Sequence, residues 1–318
     1  MDHISSAFTS LLAGLFIKNV DYIIASSPQF FTAWAGFLLS KLKRRPWVFE
    51  VRDMWPEGII FLKNNGFLYR FLEKIELFLY KDANKIVVVT EAFKKSIIQR
   101  SLIHDKKVKV IFNGSNVQAF SPKIPDIILR NQLNLHNKFI VGYAGTIGIS
   151  QGLEFIFSEA LKIKDSNIHF LFVGDGAIKS KLKDFVSQNS ITNITMIDAV
   201  DKKSVQRYMS LFDVGIVPLR RNLAYLKVIP SKTFELAAMT IPILLGVDGE
   251  MRSILEKYSA GKFYEPEESI SFQAAIMHMY LNRDSLLALY SEGLVRMKVD
   301  FDRSNQAKKM LEFIRYEC

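Results

Sequence analysis

Short runs dense in valine and isoleucine, each followed by a longer stretch of helical period, recur along the whole chain. The first part carries DYIIAS (21–26), WVFEV (47–51), KIVVVT (85–90) and VKVIF (108–112), with helical stretches at 28–43, 67–82 and 91–101. The second part carries KFIVGYAG (138–145), IHFLFVGDG (168–176), ITMID (194–198), VGIVP (214–218) and IPILLG (241–246). Runs this continuous in apolar residues suit strands buried on both faces, and strands alternating with helices suit parallel sheets covered by helices. The expected fold class is α/β with two doubly wound, Rossmann-like domains. NGSN (113–116) and the prolines Pro122 and Pro125 interrupt the pattern. They place the expected boundary so that residues 1–120 form one domain and 121–301 the other, followed by a C-terminal helix over 302–318.

A length of 318 residues accommodates two domains of ordinary size. A single cysteine, Cys318, excludes a disulfide framework and any cysteine-based metal cluster. It suits a reducing, cytoplasmic setting. No stretch approaches the roughly 20 apolar residues of a membrane span. The run SSAFTSLLAGLF is shorter and is followed by Lys18 and Asp21, and it does not read as a signal peptide. The net charge of +10 is uneven: residues 1–120 hold 17 Lys and Arg against 10 Asp and Glu. A basic first part suits anionic lipid, nucleic acid or phosphorylated substrates, and equally an ordinary solvated surface. The basic residues lack interleaved aromatics or a recognisable nucleic-acid module.

Ligands of open parallel sheets bind beyond the carboxyl ends of the strands, so the chemistry is sought there. GYAGTIGISQGLE (142–154) runs from a strand through Gly145, Thr146 and Gly148 into a helix, which lets backbone N–H groups approach an anion. Gly174 and Gly176 flank Asp175 at the next strand end. The stretch 197–203 ends a strand at Asp198 and carries Val200 and Asp201, the latter a preferred helix N-cap. VIPSKTFELAAMTIPILLG (228–246) opens a helix at Ser231, with Lys232 in its first turn and Glu235 one turn on. A first-turn lysine opposes the helix dipole, unless an anion such as a diphosphate lies beside it. In the first part, FEVRDMWPE ends a strand in Arg52, Asp53, Trp55 and Glu57.

With these residues in order, the chain resembles the retaining glycosyltransferases of family 4. PSKTFELAAMTIPIL is similar to that family's PSK…FE…MA element, and FEVRDMWPE, KIVVVTEAF, VIFNGSNVQAF, YAGTIGISQGLE, FLFVGDG and FDVGIVPL follow the matching order. The nearest likeness is to WbuB-like transferases of O-antigen and capsule, some of which handle L-fucosamine. The resemblance implies a GT-B fold, two Rossmann-like domains facing a cleft, with the N-terminal one incomplete: relatives begin with further βα units. It implies that Gly145, Thr146, Gly148, Gly174, Val200, Ser231, Lys232 and Glu235 hold a UDP-sugar, Glu235 at the ribose and Ser231 and Lys232 at the diphosphate. It implies that Arg52 and Asp53 take part in catalysis and that Trp55 and Glu57 touch the acceptor or the sugar. No cofactor and no metal are required. The implied acceptor is a lipid-linked saccharide at the cytoplasmic face of a bacterial plasma membrane, whose anionic surface suits KLKRRPW (41–47). Lys227 stands where the family places the first of two paired acids, and Thr146, Ile147 and Gln151 stand where basic phosphate contacts are common. Two other readings stay open: a catalytically inert GT-B scaffold or binding subunit, and a UDP-sugar 2-epimerase.

Overall fold

The computed structural model of the chain describes residues 2–27, 30–54 and 66–316, without the side chains of residues 2–4, 6 and 30. It forms two compact units, residues 1–112 with 306–318, and residues 113–305.

The first unit contains α1 (Asp2–Phe16), β1 (Ile23–Ser26), α2 (Phe30–Lys43), β2 (Trp47–Val51), α3 (Phe67–Asp82), β3 (Lys85–Val88), α4 (Glu91–Ser101) and β4 (Val108–Val110). The strands form one parallel sheet in the order β1-β2-β3-β4. Its core joins Trp47, Phe49 and Val51 of β2 to Leu79 and Tyr80 of α3 and Phe93 and Ile97 of α4. Thr90 caps α4, accepting from Phe93 N at 3.1 Å, a device that satisfies one of the orphan donors of a helix start.

The second unit runs α5 (Ile127–Gln132), β5 (Phe139–Ala144), α6 (Leu153–Lys162), β6 (Ile168–Val173), α7 (Lys179–Gln188), β7 (Ile194–Ile197), α8 (Lys202–Met209), β8 (Val214–Pro218), α9 (Lys232–Ala238), β9 (Ile243–Gly246), α10 (Glu250–Tyr258), β10 (Gly261–Phe263), α11 (Ser269–Leu281) and α12 (Leu286–Asp300). Its sheet has the order β10-β9-β8-β5-β6-β7, and every pairing is parallel. The winding direction reverses between β5 and β8, which is where an open α/β sheet leaves a crevice for ligand. Phe157, Phe170, Phe172 and Phe272 fill the layer on one face of β5, β6 and β8.

The chain enters the second unit at Asn113 and leaves it at Asn305, and these passages are tied together inside that unit. Ser115 N donates to Phe301 O (3.1 Å), Arg303 N to Ser115 O (3.0 Å) and the Arg303 guanidinium to Gly114 O (3.2 Å). The last helix, α13 (Arg303–Tyr316), returns to the first unit, where Phe313 and Ile314 pack on Val48, Val87 and Ile111. Lys85 Nζ donates to Phe313 O at 2.6 Å. The unit break thus falls at 112/113, ahead of the prolines, and the final helix is part of the first unit's core.

Candidate functional site

The carboxyl ends of β5, β6 and β7 are built as one layered backbone structure. Gly145 N donates to Val173 O (3.0 Å), Gly174 N to Ile197 O (3.1 Å) and Ile147 N to Asp175 O (2.8 Å). Gly174 holds φ +153°, and a Cβ there would stand 1.9 Å from Gly145 O; Gly176 is in the same position against Ile147 O, at 2.4 Å. These two glycines are therefore required by close backbone approach. Gly148 has φ −112° and offers its N–H to Gln151 Oε1 (3.1 Å), so its role is different.

Beneath this layer Lys179, only 6% exposed, inserts its ammonium. It donates to Gly174 O (2.6 Å), Ile197 O (3.3 Å) and Asp198 Oδ1 (2.6 Å), tying the ends of β6 and β7 together. Lys179, with Lys183, holds the exposed Asp198 carboxyl below its usual range. Asp201 serves as the N-cap of α8 and is held down to about 2 by the Ser204 hydroxyl and the N–H groups of Ser204 and Lys203. Val200 is half-buried on the loop between Asp198 and Asp201.

Lys232 opens α9 and reaches back to the end of β5. Its ammonium lies 3.7 Å from the centroid of the Tyr143 ring, a cation–π contact that offsets its unfavourable position in the helix dipole. It also faces Gly145, where a Cβ would stand 3.3 Å from Nζ. The Lys232 residue is half-buried, but its ammonium end is enclosed, and this burial lowers it to about 7 against a weaker pull upward from Glu235. Tyr143 is fully buried and donates its hydroxyl to Thr146 O at 2.5 Å, so the same ring fixes the glycine loop and seats the ammonium. Burial pushes Glu235 above the usual carboxylate range, opposed by Lys232, Arg303 and Lys202. Ser231 is exposed and makes no side-chain capping bond.

Gly145, Thr146, Gly148, Gly174, Lys232 and Glu235 are thus gathered around the switch point, with Val200 and Ser231 at its margins. Tyr143, Lys179 and Arg303 complete it and were not singled out from the sequence. Arg220 pairs with Glu154 Oε1 at 3.0 Å and packs against Gly152. A pocket of about 460 Å³ opens at the ends of β8, β9 and β10, lined by Arg220, Arg221, Tyr225, Leu226, Asp248 and Glu265 among others. The one Asp-x-Asp triplet in the chain, Asp300 to Asp302, is occupied structurally: Asp300 accepts from the Tyr258 hydroxyl (2.6 Å) and Asp302 from Ser304 N (3.1 Å).

In the first unit, Arg52 and Asp53 follow the end of β2. Ser27, at the end of β1, accepts from Arg52 N (2.9 Å) and Asp53 N (3.3 Å), which fixes the turn. Both side chains are exposed within this unit. Partial burial of its carboxyl still raises Asp53, with the Arg52 charge opposing. Glu50 accepts from the Ser26 hydroxyl and is raised for the same reason. Trp55 and Glu57 lie outside the described residues.

Two family models match the chain: Glycosyltransferase Family 4 over residues 4–119, and Glycosyl transferases group 1 over residues 138–282. Among curated proteins, the putative teichuronic acid biosynthesis glycosyltransferase TuaH of Bacillus subtilis is 25% identical over 232 residues, covering 72% of this chain and 57% of TuaH. The chain therefore spans little more than half the length of this relative. Among solved structures, sucrose-phosphate synthase from Thermosynechococcus elongatus superposes with a TM-score of 0.80 at 18% identity, covering 98% of this chain and 77% of that one. Anabaena Alr3699/HepE in complex with UDP-glucose superposes with a TM-score of 0.74 at 16% identity, covering 98% and 81%. The two parallel sheets are those of the GT-B fold, and the chain belongs to the group 1, family 4 glycosyltransferases.

Proposed function

We propose that the second unit binds a UDP-sugar and that the protein transfers the sugar, with retention, to a lipid-linked saccharide during surface polysaccharide assembly. The observation that carries this reading is the Lys232 ammonium, held on the Tyr143 ring beside Gly145 with Glu235 one turn further along α9. An enclosed cation next to glycine backbone is suited to a diphosphate, and a carboxylate close by accepts hydrogen bonds from a ribose diol. The solved relative with UDP-glucose and the likeness to TuaH support the donor class and the polysaccharide setting.

On this reading the sugar is an N-acetylated hexosamine or deoxyhexosamine, and the product belongs to O-antigen or capsule, as in WbuB-like transferases. The departing diphosphate is stabilised by Lys232 and by the N–H groups of the glycine loop, and it assists the incoming hydroxyl on the same face of the sugar. Positioning and electrostatic stabilisation then supply most of the rate. In the first unit Asp53 accepts a hydroxyl of the acceptor or sugar, Arg52 balances its charge, and Trp55 and Glu57 complete the contact. No metal takes part. The setting is the cytoplasmic face of a bacterial plasma membrane, with the protein as a peripheral partner of anionic lipid; no described helix is long and apolar enough to cross it.

Titration of the purified chain with UDP in a calorimeter tests the donor site. Glu235→Ala is expected to weaken UDP on the order of tenfold, the loss of a charge-assisted bond to the ribose. Unchanged affinity would remove Glu235 from the site. Lys227, at the position of the family's first acid, favours a second reading in which the chain binds nucleotide but is an inert scaffold. UDP binding with no turnover of any UDP-sugar would select that reading.

A further inference from the structure

The C-terminal ends of α1 and α2 meet at one corner of the first unit. Lys43, the last residue of α2, donates its ammonium to Leu15 O (3.1 Å) and Ile17 O (2.7 Å), capping the end of α1. The corner is apolar where solvent reaches it. Phe16 is 82% exposed, Ile17 59% and Leu42 63%, and Leu15 is exposed beside them. The same face continues up α1 through Leu12 and Phe8, at helical spacing from Phe16, while Ala7 is buried and Gly14 packs on Leu39. Isolated exposed apolar residues need no explanation, but a contiguous group of large ones marks an interaction surface.

Cations rim this corner. Lys18, Arg44 and Arg45 are exposed and make no ion pair among the described residues, and Lys41 lies one turn before Arg44. Against them stand Asp21, and Asp82, which already holds Lys41 at 2.6 Å. The corner lies at the amino ends of β1 and β2, whereas Arg52 and Asp53 follow the carboxyl end of β2. A partner here leaves those residues uncovered.

We propose that this corner docks on an anionic lipid bilayer, with Phe16, Ile17 and Leu42 entering the headgroup region and Lys18, Arg44 and Arg45 facing the lipid phosphates. Apolar side chains encircled by lysine and arginine are the chemistry of interfacial binding, in which area and charge act together. A second copy of the chain fits less well, because two-fold pairing would bring like charges face to face. The choice of a bilayer rests on the lipid-linked acceptor proposed above.

Co-sedimentation of the full chain with phosphatidylcholine vesicles, with and without phosphatidylglycerol, tests the corner. Two double variants at exposed positions accompany it, Phe16→Ser with Leu42→Ser, and Lys18→Glu with Arg45→Glu; Arg44 is left in place because its backbone holds φ 51°. The expected result is binding to phosphatidylglycerol vesicles, none to phosphatidylcholine alone, and a loss on the order of tenfold or more in each double variant. UDP affinity and circular dichroism are expected to stay those of the wild type, so a failed donor site and a failed docking corner give different results. Absence of vesicle binding, or full binding by either double variant, overturns the proposal. So does a wild-type dimer in light scattering that Phe16→Ser with Leu42→Ser makes monomeric, which would assign the corner to self-association.

Discussion

Gly174→Ala is expected to abolish measurable UDP binding and to destabilise the second unit by roughly 3 kcal/mol or more. Two costs combine. Alanine at φ +153° is strained whatever the space, and its Cβ would stand 1.9 Å from Gly145 O, a backbone atom that moves only if the ends of β5 and β6 part. That movement breaks the bonds Gly145 N to Val173 O and Gly174 N to Ile197 O, and it withdraws Gly174 O from the Lys179 ammonium. For a unit of this size the loss corresponds to a fall in melting temperature of roughly 6–12 °C, read by calorimetry on the unliganded chain. Gly148→Ala is the control. Its backbone is in an ordinary region, and the added Cβ is crowded by Gln151 Oε1, at 2.8 Å, the end of a flexible side chain, and otherwise meets Thr146 Cγ2 at an ordinary 3.6 Å. The expected cost there is about 1 kcal/mol or less. Equal melting of Gly174→Ala and wild type would overturn the account of the paired loops.

The contrast between these glycines shows what a sequence displays and what it conceals. The nine strands named from their apolar runs are present: β2, β5, β6, β8 and β9 are buried along nearly their whole length, and the edge strands are less so, with Ile24 of β1 51% exposed. The tenth, Gly261–Phe263, went unnoticed: it is three residues long, it pairs with β9 alone, and a lysine occupies its centre. Lys232 and Glu235 stand out because an unusual pair of charges opens α9. Tyr143 does not, since a tyrosine in an apolar strand reads as core, and only the fold brings a lysine 89 positions later onto its ring. Lys179 was concealed in KSKLK, which reads as a solvated basic helix start. Its burial follows from where α7 begins relative to the ends of β6 and β7. Likewise Arg303 reaches the surroundings of Glu235 because the 113–115 passage is pinned to the 301–303 passage, a contact between distant parts of the chain.

Lys232→Met is expected to lower UDP-sugar affinity by about 10- to 100-fold at pH 6, the range for a charge-assisted contact to a diphosphate. The pH dependence is the more specific result. With its ammonium titrating at about 7 in the unliganded protein, Lys232 attracts the diphosphate fully below that pH and progressively less above it. UDP-sugar affinity of the wild type is expected to fall by up to about tenfold per pH unit above 7, while Lys232→Met stays flat and the two proteins converge towards pH 9. A UDP-sugar is the proper probe, because its diphosphate diester does not titrate in this window. Stability without ligand must run the other way. The lysine takes up protons more readily in the unfolded chain, at its ordinary value near 10.5, than in the folded one. The unfolded state therefore binds more protons between about pH 7 and 10, and folding stability contributed by this group rises with pH across that interval. Lys232→Met removes the rise. Donor affinity that falls and thermal stability that rises over the same pH range, both through one side chain, is a combination that a fully solvated lysine does not produce. A wild type whose donor affinity is constant from pH 6 to 9 would show that the ammonium is neither enclosed nor in contact with the diphosphate.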